Sequence, residues 1–234
     1  VDDNFASIVA AVQEGRTVYD NIRKVIAWTL PTNGGEMLCV IIAIAFGLAL
    51  PMNAIQILWI NMVLEVTLGL VLAFEPSEPD TMRRPPRRRD EPILSRFLAW
   101  RVVLVSLLFT AGVFFIFDYA IRQGLGEDAA RTMVVNTIVV MEIFYLFNVR
   151  YMHMTSFSLV GAMGTRAVLL AIAAVVAAQL AFTYAPFMQA LFGTAPIALK
   201  DGLPIIGIGV LLMVVLEVEK AAMRRFMPLV EIAP

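Results

Sequence analysis

Six long, largely apolar runs constrain this chain more than any other feature. They fall at roughly 25–48, 54–74, 97–118, 132–149, 167–188 and 202–219. A helix needs about 20 apolar residues to cross the hydrocarbon core of a bilayer, and each run is close to that length. In lipid the backbone must satisfy its own hydrogen bonds, which leaves helices and closed barrels as spanning structures. Nothing here alternates as barrel strands do. The fold class expected is therefore all-α: a polytopic membrane bundle of six transmembrane helices. Composition agrees, with 60% hydrophobic residues and a mean hydropathy of +0.81, above the apolar share of an ordinary soluble domain.

With six spans both ends lie on one side. The segments on that side carry 15 of the 18 lysines and arginines, and only Arg122, Arg131 and Lys200 fall on the other. The positive-inside rule then puts both termini in the cytoplasm. Residues 4–24 are amphipathic, with Ile8, Val9, Val12, Tyr19 and Ile22 at near-helical spacing. No breaker separates them from the first span, so a cytoplasmic stalk helix is expected to run straight into the membrane. The domains expected are the stalk at 1–24, the six-helix bundle at 25–222 and a cytoplasmic tail at 223–234. Val1 is not a natural start residue and no signal peptide is recognisable, so a segment cut from a longer protein is expected. Fifteen arginines against three lysines, with abundant alanine, point to a GC-rich prokaryote and its plasma membrane. The lone cysteine, Cys39, allows no internal disulfide.

Polar residues inside the spans are the informative ones. The first span contains Pro31-Thr32-Asn33-Gly34-Gly35-Glu36, and the second contains Asn61 and Glu65. The two spans form a hairpin turning near Leu48–Met52. Glu36 and Glu65 are nearly equidistant from that turn, so both lie roughly 20 Å from it at matching depth. Asn33 and Glu36 are spaced i, i+3, and Asn61 and Glu65 i, i+4, so each pair shares a helix face. A charge at the centre of a span costs on the order of 3 kcal/mol, and two neighbouring carboxylates also repel. A bound cation or proton removes both penalties. Oxygen ligands suit Ca²⁺, and the same set can hold Na⁺ or H⁺. The alternative is that these residues only hydrogen-bond helices together. Pro31 and the glycines are expected to unwind the turn locally and free carbonyl oxygens for the site. Glu142, on the fourth span, lies about 17 Å in from Arg131. It reads as a third carboxyl ligand, a proton relay or a packing residue.

The linker after the second span is rich in proline and arginine, from Arg83 to Arg89. It reads as a topology determinant at an anionic lipid surface or a docking patch for a cytoplasmic domain, and not as a nucleic-acid site. His153 between Met152 and Met154 reads as part of a solvated loop. The chain carries no phosphate-binding glycine loop, HExxH or nucleophile elbow. It therefore holds no cofactor of its own and is not expected to hydrolyse a nucleotide alone.

Several stretches resemble the P-type cation-transporting ATPases of the calcium and sodium–potassium pump branch. Asp2-Asp3-Asn4-Phe5-Ala6-Ser7-Ile8-Val9 and Gly15-Arg16-Thr17-Val18-Tyr19-Asp20-Asn21-Ile22-Arg23-Lys24 look like the passage from the phosphorylation domain into the fifth membrane helix. Asn33-Gly34-Gly35-Glu36, Gln56-Ile57-Leu58-Trp59-Ile60-Asn61 and Met82-Arg83-Arg84-Pro85-Pro86-Arg87 continue the pattern in order. The resemblance implies that the chain supplies the last six of ten membrane helices. It also implies that Asn33, Glu36, Asn61, Glu65 and Glu142 are cation ligands. The phosphorylated aspartate, the nucleotide and actuator domains and the first four helices would lie upstream, and ATP and Mg²⁺ would act only through them. Where the calcium pump has a Thr-Asp pair this chain has Leu64-Glu65. Leu64 offers no ligand oxygen, which favours a single site, or H⁺ or Na⁺, over two full calcium sites. The alternative of a different class is a stand-alone, non-enzymatic membrane protein that conducts ions or serves in assembly.

Overall fold

A computed structural model describes residues 5–77, 81–83, 85, 95–150 and 165–226, with side chains to residue 223. Most of the arginine-rich linker and His153 lie outside the described residues. The described elements are helical: α1 (Phe5–Ala45), α2 (Ala54–Leu64), a π-helical turn (Glu65–Gly69), α3 (Leu70–Ala73), α4 (Arg96–Arg122), α5 (Glu127–Arg150), α6 (Arg166–Tyr184), α7 (Pro186–Phe192), a 3₁₀ turn (Leu199–Asp201) and α8 (Gly202–Phe226). Six stretches are long and apolar enough to cross a membrane: α1, the α2–α3 unit, α4, α5, α6 and α8. The chain is an integral membrane protein built as a helical bundle.

At 41 residues, α1 is about 60 Å long, twice the hydrocarbon thickness. Its apolar second half is long enough to span that thickness, and the more polar first half continues as the same helix without a break. The turn after it closes on Gly47, whose φ of 64° a side chain would strain. Asn53 then starts α2 with a reciprocal capping box. Its Oδ1 accepts from the Gln56 N–H at 2.8 Å, and Gln56 Oε1 accepts from the Asn53 N–H at 3.0 Å. Asn53 Nδ2 also donates to the Phe192 carbonyl at 3.3 Å, tying the turn to the end of α7. Asn53→Ala is expected to cost about 1–2 kcal/mol, read as a lower Tm of the chain in detergent micelles.

Lipid tails are as apolar as leucine, so packing and interhelical hydrogen bonds, rather than water exclusion, hold such a bundle together. α5 is the most buried span. It packs on α4 and α8, and α1 runs along α4. The α1–α4 approach is close because Gly34 and Gly35 face α4. A Cβ on Gly35 would stand 2.6 Å from the Phe109 Cβ, and one on Gly34 2.5 Å from Ser106 Oγ. Because the Phe109 Cβ is fixed to its helix, Gly35→Ala must push α1 and α4 apart. The expected cost is about 1–3 kcal/mol, read in the same thermal assay.

Two buried ionic groups knit one end of the bundle. In the first, Glu75 accepts from Arg150 Nε and lies 3.7 Å from Lys24 Nζ, while Asn21 Nδ2 donates to the carbonyls of Ala73 and Glu75. In the second, Asn148 accepts from Arg101 and donates to Glu217 at 2.9 Å. Lys220 Nζ donates to the Asn148 carbonyl at 2.7 Å. Arg101 is 1% exposed and Lys220 4%. The third span thus carries a buried charge, Arg101, and α8 continues past the buried Glu217 and Lys220 to Phe226.

Candidate cation site

The polar turn of α1 does not unwind. Pro31 and both glycines sit within a continuous α-helix, so the expected freeing of carbonyls is overturned. The reason lies in the neighbouring helices. Pro31 has no N–H, which deprives the Ala27 carbonyl of its helical donor. Tyr145 Oη of α5 donates to that carbonyl at 2.7 Å. Ser106 Oγ of α4 donates to the Pro31 carbonyl at 2.8 Å. The glycines serve close packing against α4 rather than flexibility.

The irregular turn lies on the second span instead. α2 stays regular to Leu64, with the Glu65 N–H bonded back to the Asn61 carbonyl, and Glu65 opens the π turn, in which the Leu70 N–H bonds back to the Glu65 carbonyl. A π turn inserts one extra residue and re-aims the side chains around it. Gly69 makes room for the result: a Cβ there would stand 3.1 Å from Glu65 Oε2 and 3.6 Å from the Trp28 ring.

The two spans exchange carboxylate for amide. Asn61 Nδ2 of α2 donates to Glu36 Oε2 of α1 at 3.0 Å, and also to the Ile57 carbonyl at 3.0 Å. Asn33 Nδ2 of α1 donates to Glu65 Oε1 of the π turn at 3.4 Å. Thr29 Oγ1 adds a bond to Glu65 Oε2 at 3.1 Å. Four of the five sequence candidates thus form two crossed pairs. The fifth, Glu142, comes in from α5 and is 3% exposed. Its main-chain carbonyl accepts from Trp28 Nε1 at 3.3 Å. Glu36 Oε1 and Glu142 Oε2 are buried with no hydrogen-bond partner among the described residues. Among those residues no three of His, Cys, Asp and Glu converge on one metal-sized point, so this arrangement is a pair of carboxylate–amide contacts beside a third carboxyl, not a closed three-carboxylate centre.

Burial is asymmetric. Glu36 and Glu142 are enclosed, whereas Asn33, Asn61 and Glu65 are only half-buried by the chain's own helices. Sequence reasoning missed Thr29, Trp28, Ser106 and Tyr145. Thr29 lies four residues before Asn33 on the same helical face, a signal that was available. The other three act through contacts between distant segments.

Chemically, the site combines anionic oxygens, amides that can turn either their NH₂ or their oxygen inward, and a hydroxyl. This is a hard-donor set with no soft ligand among the five candidates. A helical membrane bundle with such a set between its first two spans has the make-up of a membrane ion-handling domain. Comparison with known proteins makes that specific. The family described as cation transporting ATPase, C-terminus, matches residues 49–222, and the chain belongs to that family. It is 48% identical over 196 residues to a probable cation-transporting ATPase F of Mycobacterium tuberculosis, covering 84% of this chain and 22% of that protein. A cation-transporting ATPase of Synechocystis is 40% identical over 200 residues, covering 83% of the chain and 22% of that protein. Human calcium-transporting ATPase type 2C member 1 is 28% identical over 224 residues, covering 96% and 24%. The chain thus spans about a fifth to a quarter of the length of these relatives.

Proposed function

We propose that this chain is the ion-coordinating membrane domain of an ATP-driven cation pump, with Asn33, Glu36, Asn61, Glu65 and Glu142 as ligands of the transported ion. The observation that carries the reading is the crossed pairing of Glu36 with Asn61 and Glu65 with Asn33, with carboxylate oxygens of Glu36 and Glu142 left open beside it. Two acids at one depth in a membrane repel each other and cost energy, and a shared cation reverses both effects. The two amides donate to the carboxylates. On loading, rotation of each amide would present its oxygen to the ion instead. Ca²⁺ is favoured by the names of several relatives, while Na⁺ and H⁺ suit the same donors. Leu64, buried with no ligand oxygen, favours a single ion over two Ca²⁺.

The half-buried face of Asn33, Asn61 and Glu65 supports a further part of the reading. A charged group facing lipid is costly, so other helices are expected to cover it. We assign that role to the four membrane helices of an upstream segment, which would also bring the phosphorylation, nucleotide and actuator domains with ATP and Mg²⁺. The stalk half of α1 would carry their motion to the site. Both termini are then cytoplasmic, and the arginine-rich, alanine-rich composition favours a prokaryotic plasma membrane.

The test is phosphorylation from ATP of the full-length pump containing this chain, screened over Ca²⁺, Na⁺, K⁺, Mg²⁺ and pH. The expected result is a phosphoenzyme that forms only with one of Ca²⁺, Na⁺ or H⁺. Phosphorylation indifferent to every cation, or steady ion flux through the purified chain without ATP, would overturn the reading.

A further inference from the structure

We propose that Tyr145 is a positioning residue for the ion site, its phenol standing in for the main-chain donor that Pro31 lacks. In an α-helix the carbonyl of residue 27 accepts from the N–H of residue 31, and proline has none. Ala27 is fully buried, so water cannot reach its carbonyl, and a buried carbonyl without a donor is costly. The helix nevertheless passes through Pro31 without a break. Tyr145 Oη closes the gap at 2.7 Å, across 118 residues of sequence, and Tyr145 is itself fully buried.

The phenol is held in place from both sides. Tyr145 lies three residues after Glu142 and three before Asn148, so the three share one face of α5. Asn148 is fixed by Arg101, Glu217 and Lys220, and the Glu142 carbonyl accepts from Trp28 of α1. α5 therefore cannot rotate without leaving Ala27 open. Beyond Pro31, the same helix carries Asn33 and Glu36. Without the hydroxyl, the turn must tilt or unwind to find Ala27 another donor. Either movement shifts Asn33 relative to Glu65 and Glu36 relative to Asn61.

The inference rests on the cation-site reading, and a double-mutant cycle separates the two. Pro31→Ala restores an N–H for the Ala27 carbonyl and makes the phenol redundant. In the full-length pump, Tyr145→Phe is expected to weaken apparent cation affinity about fivefold, the worth of one hydrogen bond, with the maximal phosphoenzyme level unchanged. In the Pro31→Ala background the same change is expected to cost less than about twofold, since the bond it removes is by then redundant. An equal loss in both backgrounds would overturn the proposal, because the hydroxyl would then act elsewhere, Arg101 being its other near neighbour. No loss in either would overturn it as well. If phosphorylation ignores every cation, the site reading alone falls, and thermal unfolding of the chain in micelles decides the link. A Tm drop on Tyr145→Phe that vanishes with Pro31→Ala upholds it; an equal drop in both sinks it.

Discussion

Glu36→Gln in the full-length pump is expected to weaken cation-dependent phosphorylation by on the order of a hundredfold or more in apparent affinity. Glu65→Gln should do the same. Glutamine keeps the shape and an acceptor for Asn61 Nδ2, which now bonds Glu36 at 3.0 Å, so the helix contact survives while the charge goes. Glu36 is 5% exposed and its Oε1 has no partner among the described residues. Without an ion, removing that buried charge should leave the chain's thermal stability unchanged or raise it. The combination of lost ion dependence and retained stability separates a ligand from a packing residue, which would lose both or neither. Unchanged ion dependence in both variants would leave only the packing explanation. The pairing partners give a graded series: Asn61→Ala and Asn33→Ala remove a neutral contact from each carboxylate, and a smaller loss of affinity is expected from each.

The six spans were legible because the bilayer sets a minimum apolar length that no local propensity can override. The depth match of Glu36 and Glu65 was legible because a hairpin turns counting along the chain into position along the membrane normal. The behaviour of Pro31 was not. Read locally, a proline and two glycines beside an amide describe a broken helix. What keeps it whole is a phenol and a hydroxyl from Tyr145 and Ser106, 118 and 75 residues away from the carbonyls they meet. The π turn at Glu65–Gly69 leaves no pattern in residue type except Gly69, whose missing side chain leaves room for Glu65. Arg101, Arg150 and Lys220 read as topology charges because basic residues near span ends usually are. Their burial depends on partners from distant segments: Asn148 for Arg101 and Lys220, and Glu75 for Arg150.

Glu75→Leu is expected to cost the chain roughly 3–5 kcal/mol, the penalty for removing one partner of a buried ion pair, and to lower its Tm in micelles by on the order of 10 °C. Glu75 follows α3 within an apparently ordinary linker, yet its side chain is 8% exposed and sits between Lys24 of the stalk and Arg150 of α5. Those cations are 7% and 2% exposed, so leucine takes a buried carboxylate away from two buried positive charges. The sign of the effect can be tested by relief. Adding Lys24→Met to Glu75→Leu removes one of the two buried cations, and the double variant should recover part of the lost Tm. A further loss would mean that Lys24 has a stronger partner elsewhere. The consequence reaches beyond stability. Asn21 holds the Ala73 and Glu75 carbonyls at 3.2 and 2.8 Å, and Arg16 holds the Thr81 carbonyl at 2.8 Å. Together with Lys24, these contacts fasten the stalk to the end of the span that carries Asn61 and Glu65. A stalk tied there moves both halves of the crossed pairs together, whereas a stalk released by Glu75→Leu moves Glu36 without Glu65. In the full-length pump this predicts a loss of coupling: ion binding retained, and phosphorylation less dependent on it.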